Sequence, residues 1–81
     1  MRINVLYFAQ ARERAGRQSA SLELPPGSRV SDAVAAIRRT TPALDALWPH
    51  LAVAVDGVLV SPEAALREGA EVALLPPVSG G

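Results

Sequence analysis

The sequence predicts one α+β domain in which a mixed sheet wraps a single principal helix. Three observations point there. Val30, Ala33, Val34 and Ile37 fall on one helical stripe. Several short segments alternate apolar and polar residues with the period of a strand. At Asp56-Gly57 two β-branched runs flank a dipeptide suited to the positive φ angles of a tight hairpin turn. The resulting order is strand, strand, main helix, strands, final strand, and the lone amphipathic helix has one face to bury. The 81 residues suffice for one modest core and are too few for two.

Each element follows from its residues. Arg2 to Phe8 reads as a strand with Ile3, Val5 and Tyr7 on one face and Leu6 and Phe8 on the other. Ala9 to Ala15 is rich in helix formers, and Gly16 follows as a stop. Gln18 to Leu24 is a second strand, with Ala20, Leu22 and Leu24 directed to the core, and Pro25-Pro26-Gly27 breaks it. Ser31 is the expected N-cap of the main helix, and Arg38 and Arg39 sit at its negative dipole end. Thr40-Thr41-Pro42 ends it. Leu44, Leu47 and Trp48 predict another helical turn or two before Pro49. Leu51 to Val60 is the hairpin. Ser61-Pro62 is expected to start a short helical turn through Leu66, stopped by Gly69. Ala70 to Leu75 is the last strand, ended by Pro76-Pro77. The domain therefore occupies residues 1–75, with a tail at 76–81.

Composition excludes several chemistries. Apolar residues make up 49% of the chain and aromatics 4%, so the core must be built from Val, Leu, Ile and Ala. The formal net charge is zero without a long run of one sign, which argues against nucleic-acid or membrane-surface binding. No apolar run is long enough to span a bilayer, and the start lacks the pattern of a signal peptide, so a cytoplasmic location is expected. There is no Cys, hence no disulfide, thiolate nucleophile or Cys-based metal site. With His50 as the sole histidine, a protein-built catalytic dyad or metal site is not expected. All eight basic side chains are Arg.

The ending Pro76-Pro77-Val78-Ser79-Gly80-Gly81 is the segment that can carry chemistry. Prolines hold φ and favour an extended path, while glycines remove side chains and leave the terminal carboxylate sterically open. Six extended residues reach on the order of 18 Å, enough to enter a partner's buried site. A frayed terminus is the plain alternative for any Gly-Gly end. What favours function is a stiff start directly after a buried strand and the lack of any charged side chain.

Three stretches carry a family resemblance. Leu6-Tyr7-Phe8-Ala9-Gln10-Ala11-Arg12-Glu13, Leu66-Arg67-Glu68-Gly69-Ala70-Glu71-Val72-Ala73 and the ending Pro76-Pro77-Val78-Ser79-Gly80-Gly81 resemble the molybdopterin synthase small subunit family. The likeness covers essentially the whole chain, and its most specific part is the ending. A Gly-Gly end alone is shared with the thiamin-pathway sulfur carrier and with ubiquitin-like modifiers. The resemblance implies a ubiquitin-like β-grasp fold and a carrier that is not catalytic alone. Gly81 would be adenylated by a ubiquitin-activating-like adenylyltransferase using ATP and Mg, then converted to a thiocarboxylate by a persulfide sulfur donor. The tail, Pro76 to Gly80, would insert Gly81 into the large synthase subunit, where sulfur passes to a cyclic pyranopterin precursor of the molybdenum cofactor. The family pattern further implies a heterotetramer with a dimeric large subunit. The carrier itself is expected to bind neither metal nor cofactor.

Strand alternation gives a second expectation. If Val5, Val58, Val60, Val72 and Leu74 face the helix, then Phe8, Leu59 and Leu75 lie on the opposite face and form a docking patch. Arg12 joins it as a side chain able to pair with partner carboxylates, a solvated Arg being the plainer alternative. Arg38 and Arg39 are explained by the helix dipole, His50 as a loop residue, and Trp48 as core or rim packing.

Overall fold

A computed structural model describes residues 1–76. The strands are β1 (Arg2–Tyr7), β2 (Ser19–Glu23), β3 (Ala52–Val55), β4 (Val58–Leu59) and β5 (Glu71–Leu75). The helices are α1 (Ala9–Ala15), α2 (Val30–Thr40) and a 3-10 helix (Pro42–His50). The five strands form one sheet in the order β2-β1-β5-β3-β4. β1 and β5 run parallel at its centre, and the other pairs are antiparallel. This is the expected β-grasp, with α2 packed on one face.

The core sits between that face and the helices. Ile3, Val5, Val72 and Leu74 from the central strands meet Val30, Ala33 and Ile37 from α2, and Leu44 from the 3-10 helix closes one end. Burying each of these Val, Leu and Ile side chains stabilises the fold by about 1.5–3 kcal/mol, so aliphatic residues supply the core without the help of large aromatics. The partly buried Trp48 packs at its rim, as expected.

Local chemistry sets most boundaries where the sequence places them. Gly16 stops α1 in the left-handed region, φ 73°, donating its N–H to the Arg12 carbonyl at 3.0 Å. Asp56 and Gly57, at φ 50° and 85°, make the two-residue turn that pairs Val55 with Val58.

Two expectations are corrected. The residue capping α2 is Arg29, not Ser31: the helix begins at Val30, and the Arg29 N–H donates to the Asp32 carboxylate at 2.8 Å. Ser31 is instead inside the first turn, with its N–H donating to the Pro62 carbonyl at 2.9 Å. The stretch after Ser61-Pro62 forms a turn and not a short helix. Its backbone is taken up by α2's entry: Val30 N–H donates to Ala64 O, and Leu66 N–H to Ser28 O, both at 3.0 Å. Those non-local bonds satisfy the groups that a helical turn would have used.

The hairpin turn is also tied electrostatically to β5. The Asp56 carboxylate accepts from the Glu71 N–H at 3.0 Å and from Arg67 Nη2 at 3.2 Å. The Glu71 bond, with a smaller contribution from Arg67, holds its pKa below the ordinary 3.8. A lowered folded-state value means that this carboxylate stabilises the fold above its ordinary pKa, and the contribution fades as pH falls through the folded one. Asp56→Asn keeps a residue tolerant of positive φ, so it should lower Tm at neutral pH. The gap between the variant and the parent should close in acid, below 3.8. Melting curves across that range check this, and a gap independent of pH would refute it.

Candidate docking face and tail exit

Strand register decides which side chains share the outer sheet face, because directly opposed residues project to the same side. Leu6 opposes Ala73, Ala73 opposes Ala54, and Ala54 opposes Leu59, so one apolar row crosses four strands. At the strand spacing it spans about 14 Å. A second row lies one pleat further along β5, where Leu75 opposes Ala52. Phe8 extends β1 to that level, with its N–H donating to the Leu74 carbonyl at 3.3 Å.

Phe8 and Leu59 are 43% and 62% exposed, whereas Leu75 is half-buried. The predicted trio therefore shares one face, but Leu59 is separated from the other two by alanines. Those alanines, with Leu6, make the patch continuous. The sequence placed Leu6 with Phe8 but did not include it in the docking patch, and nothing in a single alanine marks it. Ala54 is 4% exposed yet lies outside the main core, consistent with its place between Ala73 and Leu59 on this second face.

The rest of the face is polar. Arg2 and Glu23 pair at 3.0 Å, and Asn4, Ser19, Ser21 and Glu71 complete it. The apolar half is the end at which β5 finishes. Pro76 follows Leu75 there and is exposed. Val78, Ser79, Gly80 and Gly81, together with Pro77, lie outside the described residues.

Arg12 belongs to the same region. With Leu6, Phe8, Ala9, Gln18 and Ser19 it lines a recess of about 280 Å³ at the β1 side of the patch. Ala9, at φ 51°, turns the chain there from β1 into α1. A left-handed alanine costs on the order of 1 kcal/mol, so the fold accepts strain next to Phe8.

Val58 keeps its place in the facing scheme, though not as a buried residue. Its pairing with Val55 puts it on the helix side, as expected, but at the sheet edge it remains 63% exposed. Val60 is partly buried against the core. Among the described residues no group of three or more His, Cys, Asp or Glu could hold a metal, and no helix is long and apolar enough to cross a membrane.

The ThiS family model matches residues 5–81. The molybdopterin synthase sulfur carrier subunit of Chlamydomonas reinhardtii is 42% identical over 83 residues, covering 100% of both chains. SAMP1 from Haloferax volcanii, a small archaeal modifier protein, superposes with a TM-score of 0.88 at 30% identity, covering 100% of each. The molybdopterin-converting factor of Helicobacter pylori, solved as a complex of subunits 1 and 2, contains a chain with the same fold, at TM-score 0.74, 22% identity and full coverage of both chains.

Proposed function

This chain belongs to the ThiS family, and from that premise we propose that it is the sulfur-carrier subunit of a molybdopterin synthase. The observation that carries the reading is a family match that runs through Gly81 in a chain with no cysteine. Sulfur then has no side-chain thiol to ride on, and the Gly81 carboxyl is the group able to hold it. The 42% identity to the Chlamydomonas carrier subunit favours molybdopterin synthesis over the thiamin pathway.

The chemistry needs activation because a carboxylate is a poor electrophile. Its oxygen attacks the α-phosphorus of ATP on the adenylyltransferase, forming an acyl adenylate and releasing pyrophosphate. Sulfide attacking the carbonyl carbon forms the C–S bond and breaks the C–O bond to AMP, leaving a thiocarboxylate. With a persulfide donor the same attack gives an acyl disulfide, which a thiol cleaves to the same product. Within the large subunit the thiocarboxylate sulfur displaces an oxygen substituent of the pterin precursor, and water then cleaves the acyl–sulfur bond, leaving the sulfur on the pterin and returning Gly81 to a carboxylate. In this reading ATP and Mg belong to the activating enzyme, and the cycle runs in the cytoplasm. The outer-face patch supports it, because a partner seated on Phe8, Leu75 and Leu59 holds the chain beside the point where the tail leaves β5. Arg12 supplies a charge at the rim of that contact.

Intact mass after incubation with ATP, the activating enzyme and sulfide tests the reading. The expected result is a gain equal to exchanging one oxygen for sulfur, located at Gly81. An unchanged mass with a verified active enzyme would sink it. The likeness to SAMP1 favours a second reading, in which the same carboxyl forms an amide with other proteins. A ladder of conjugates on target proteins, in place of the thiocarboxylate, would select that one.

A further inference from the structure

The helix side of the sheet carries an apolar groove that the docking face does not include. It lies between α2 and the β3–β4 half of the sheet, with a volume of about 600 Å³. Val34 and Ala35 form one wall, and Val53 and Val60 the other. It stays open because the one long helix packs over the sheet centre and leaves this half uncovered. From Val30 to Arg38 the α2 wall runs about 12 Å, room for roughly four residues of extended chain.

Two features identify its occupant. The first is continuity. Leu59, on the edge strand β4, lines the groove and also belongs to the outer-face patch, so the two surfaces meet at that edge. That strand is two residues long, and Val58 and Leu59, on its opposite faces, are 63% and 62% exposed. The second feature is charge. Arg38 is the only charged residue lining the groove, and among the described residues it has no carboxylate partner. Its guanidinium lies 5.8 Å from the centroid of the Trp48 ring. Stacking of this kind leaves the N–H donors at the guanidinium edge free for a carboxylate.

We propose that this groove seats an extended apolar segment of the partner subunit, carrying a carboxylate that pairs with Arg38. The segment belongs to the same large subunit that covers the outer face, so the inference rests on the carrier reading. The partner thereby wraps the β4 edge and holds the domain from both sides of the sheet.

Calorimetric titration of the purified chain with the purified large synthase subunit tests this, using Ala35→Arg to fill the groove and Arg38→Glu to reverse its charge. Ala35 and Arg38 are exposed on α2, and an unchanged Tm verifies the fold of each variant. Each should raise Kd at least ~10-fold, the loss typical of a contributing interface residue. Parental Kd in both variants would overturn the groove proposal while leaving the carrier reading intact. A parent chain that does not bind the subunit at all would defeat both. Methyl NMR of Val34 and Val53 in the free chain covers the other occupants. Shifts that move on deletion of residues 77–81 would assign the groove to the chain's own end. Shifts that move with protein concentration would assign it to a second copy. Either result overturns the proposal.

Discussion

Appending one alanine after Gly81 should abolish sulfur loading and transfer while leaving Tm unchanged. The added residue moves the terminal carboxyl about 3.4 Å along an extended chain, and it places a methyl group where the glycines leave open space. A misplacement of only 1 Å can cost a reaction about 10²-fold, so the shift should lower the rate of thiocarboxylate formation by at least ~10²-fold. The check is the rate of oxygen-to-sulfur exchange by intact mass, with circular dichroism confirming the fold. The domain contributes no part of the chemistry except position, so its stability should not register the change. A variant that loads sulfur at the parental rate would mean that the tail's end is not the reacting group.

Leu59→Asp should weaken binding of the large subunit by roughly 30- to 1000-fold, the range of an interface hot spot worth about 2–4 kcal/mol. Leu59 ends the apolar row through Ala54 and Ala73 to Leu6, and it is 62% exposed, so the substitution costs the free chain little. In the complex it would bury a carboxylate on an apolar surface with no partner. Phe8→Asp should act in the same direction from the other end of the patch. Ser21→Asp, on the polar half of the same face, should bind as the parent does. Surface plasmon resonance with immobilised large subunit distinguishes these outcomes. Equal losses for Ser21→Asp and Leu59→Asp would indicate a general charge effect and remove the case for a patch.

The two predictions differ in how they could be reached. The first needs only residues contiguous in sequence: prolines, then glycines, then a carboxyl. The second depends on strand order. Alternation alone put Phe8, Leu59 and Leu75 on the face opposite the helix, because a strand's period of two is local. It did not show that Leu6, Ala52, Ala54 and Ala73 link them, since Leu59 and Phe8 lie 51 positions apart along the chain and are joined only through β5 and β3. Arg12 was legible as an exposed helical Arg, but its recess beside Phe8 needed the turn at Ala9.

By itself the sequence determined the strands, the two α-helices and the 3-10 turns after them, the Asp56-Gly57 turn and the composition that leaves chemistry to the tail. These rest on short-range forces: side-chain period, the φ preferences of Gly, Asp and Pro, and the absence of thiols. Tertiary structure decided what non-local hydrogen bonds and packing decide. It moved the cap of α2 to Arg29 and turned residues 61–66 into a brace for that helix. It also ordered the sheet so that small and large apolar residues merge into one face, and it left open the groove along α2. Apart from the local Arg29–Asp32 bond of the cap, the deciding partners lie far away in sequence, where local propensity carries no information.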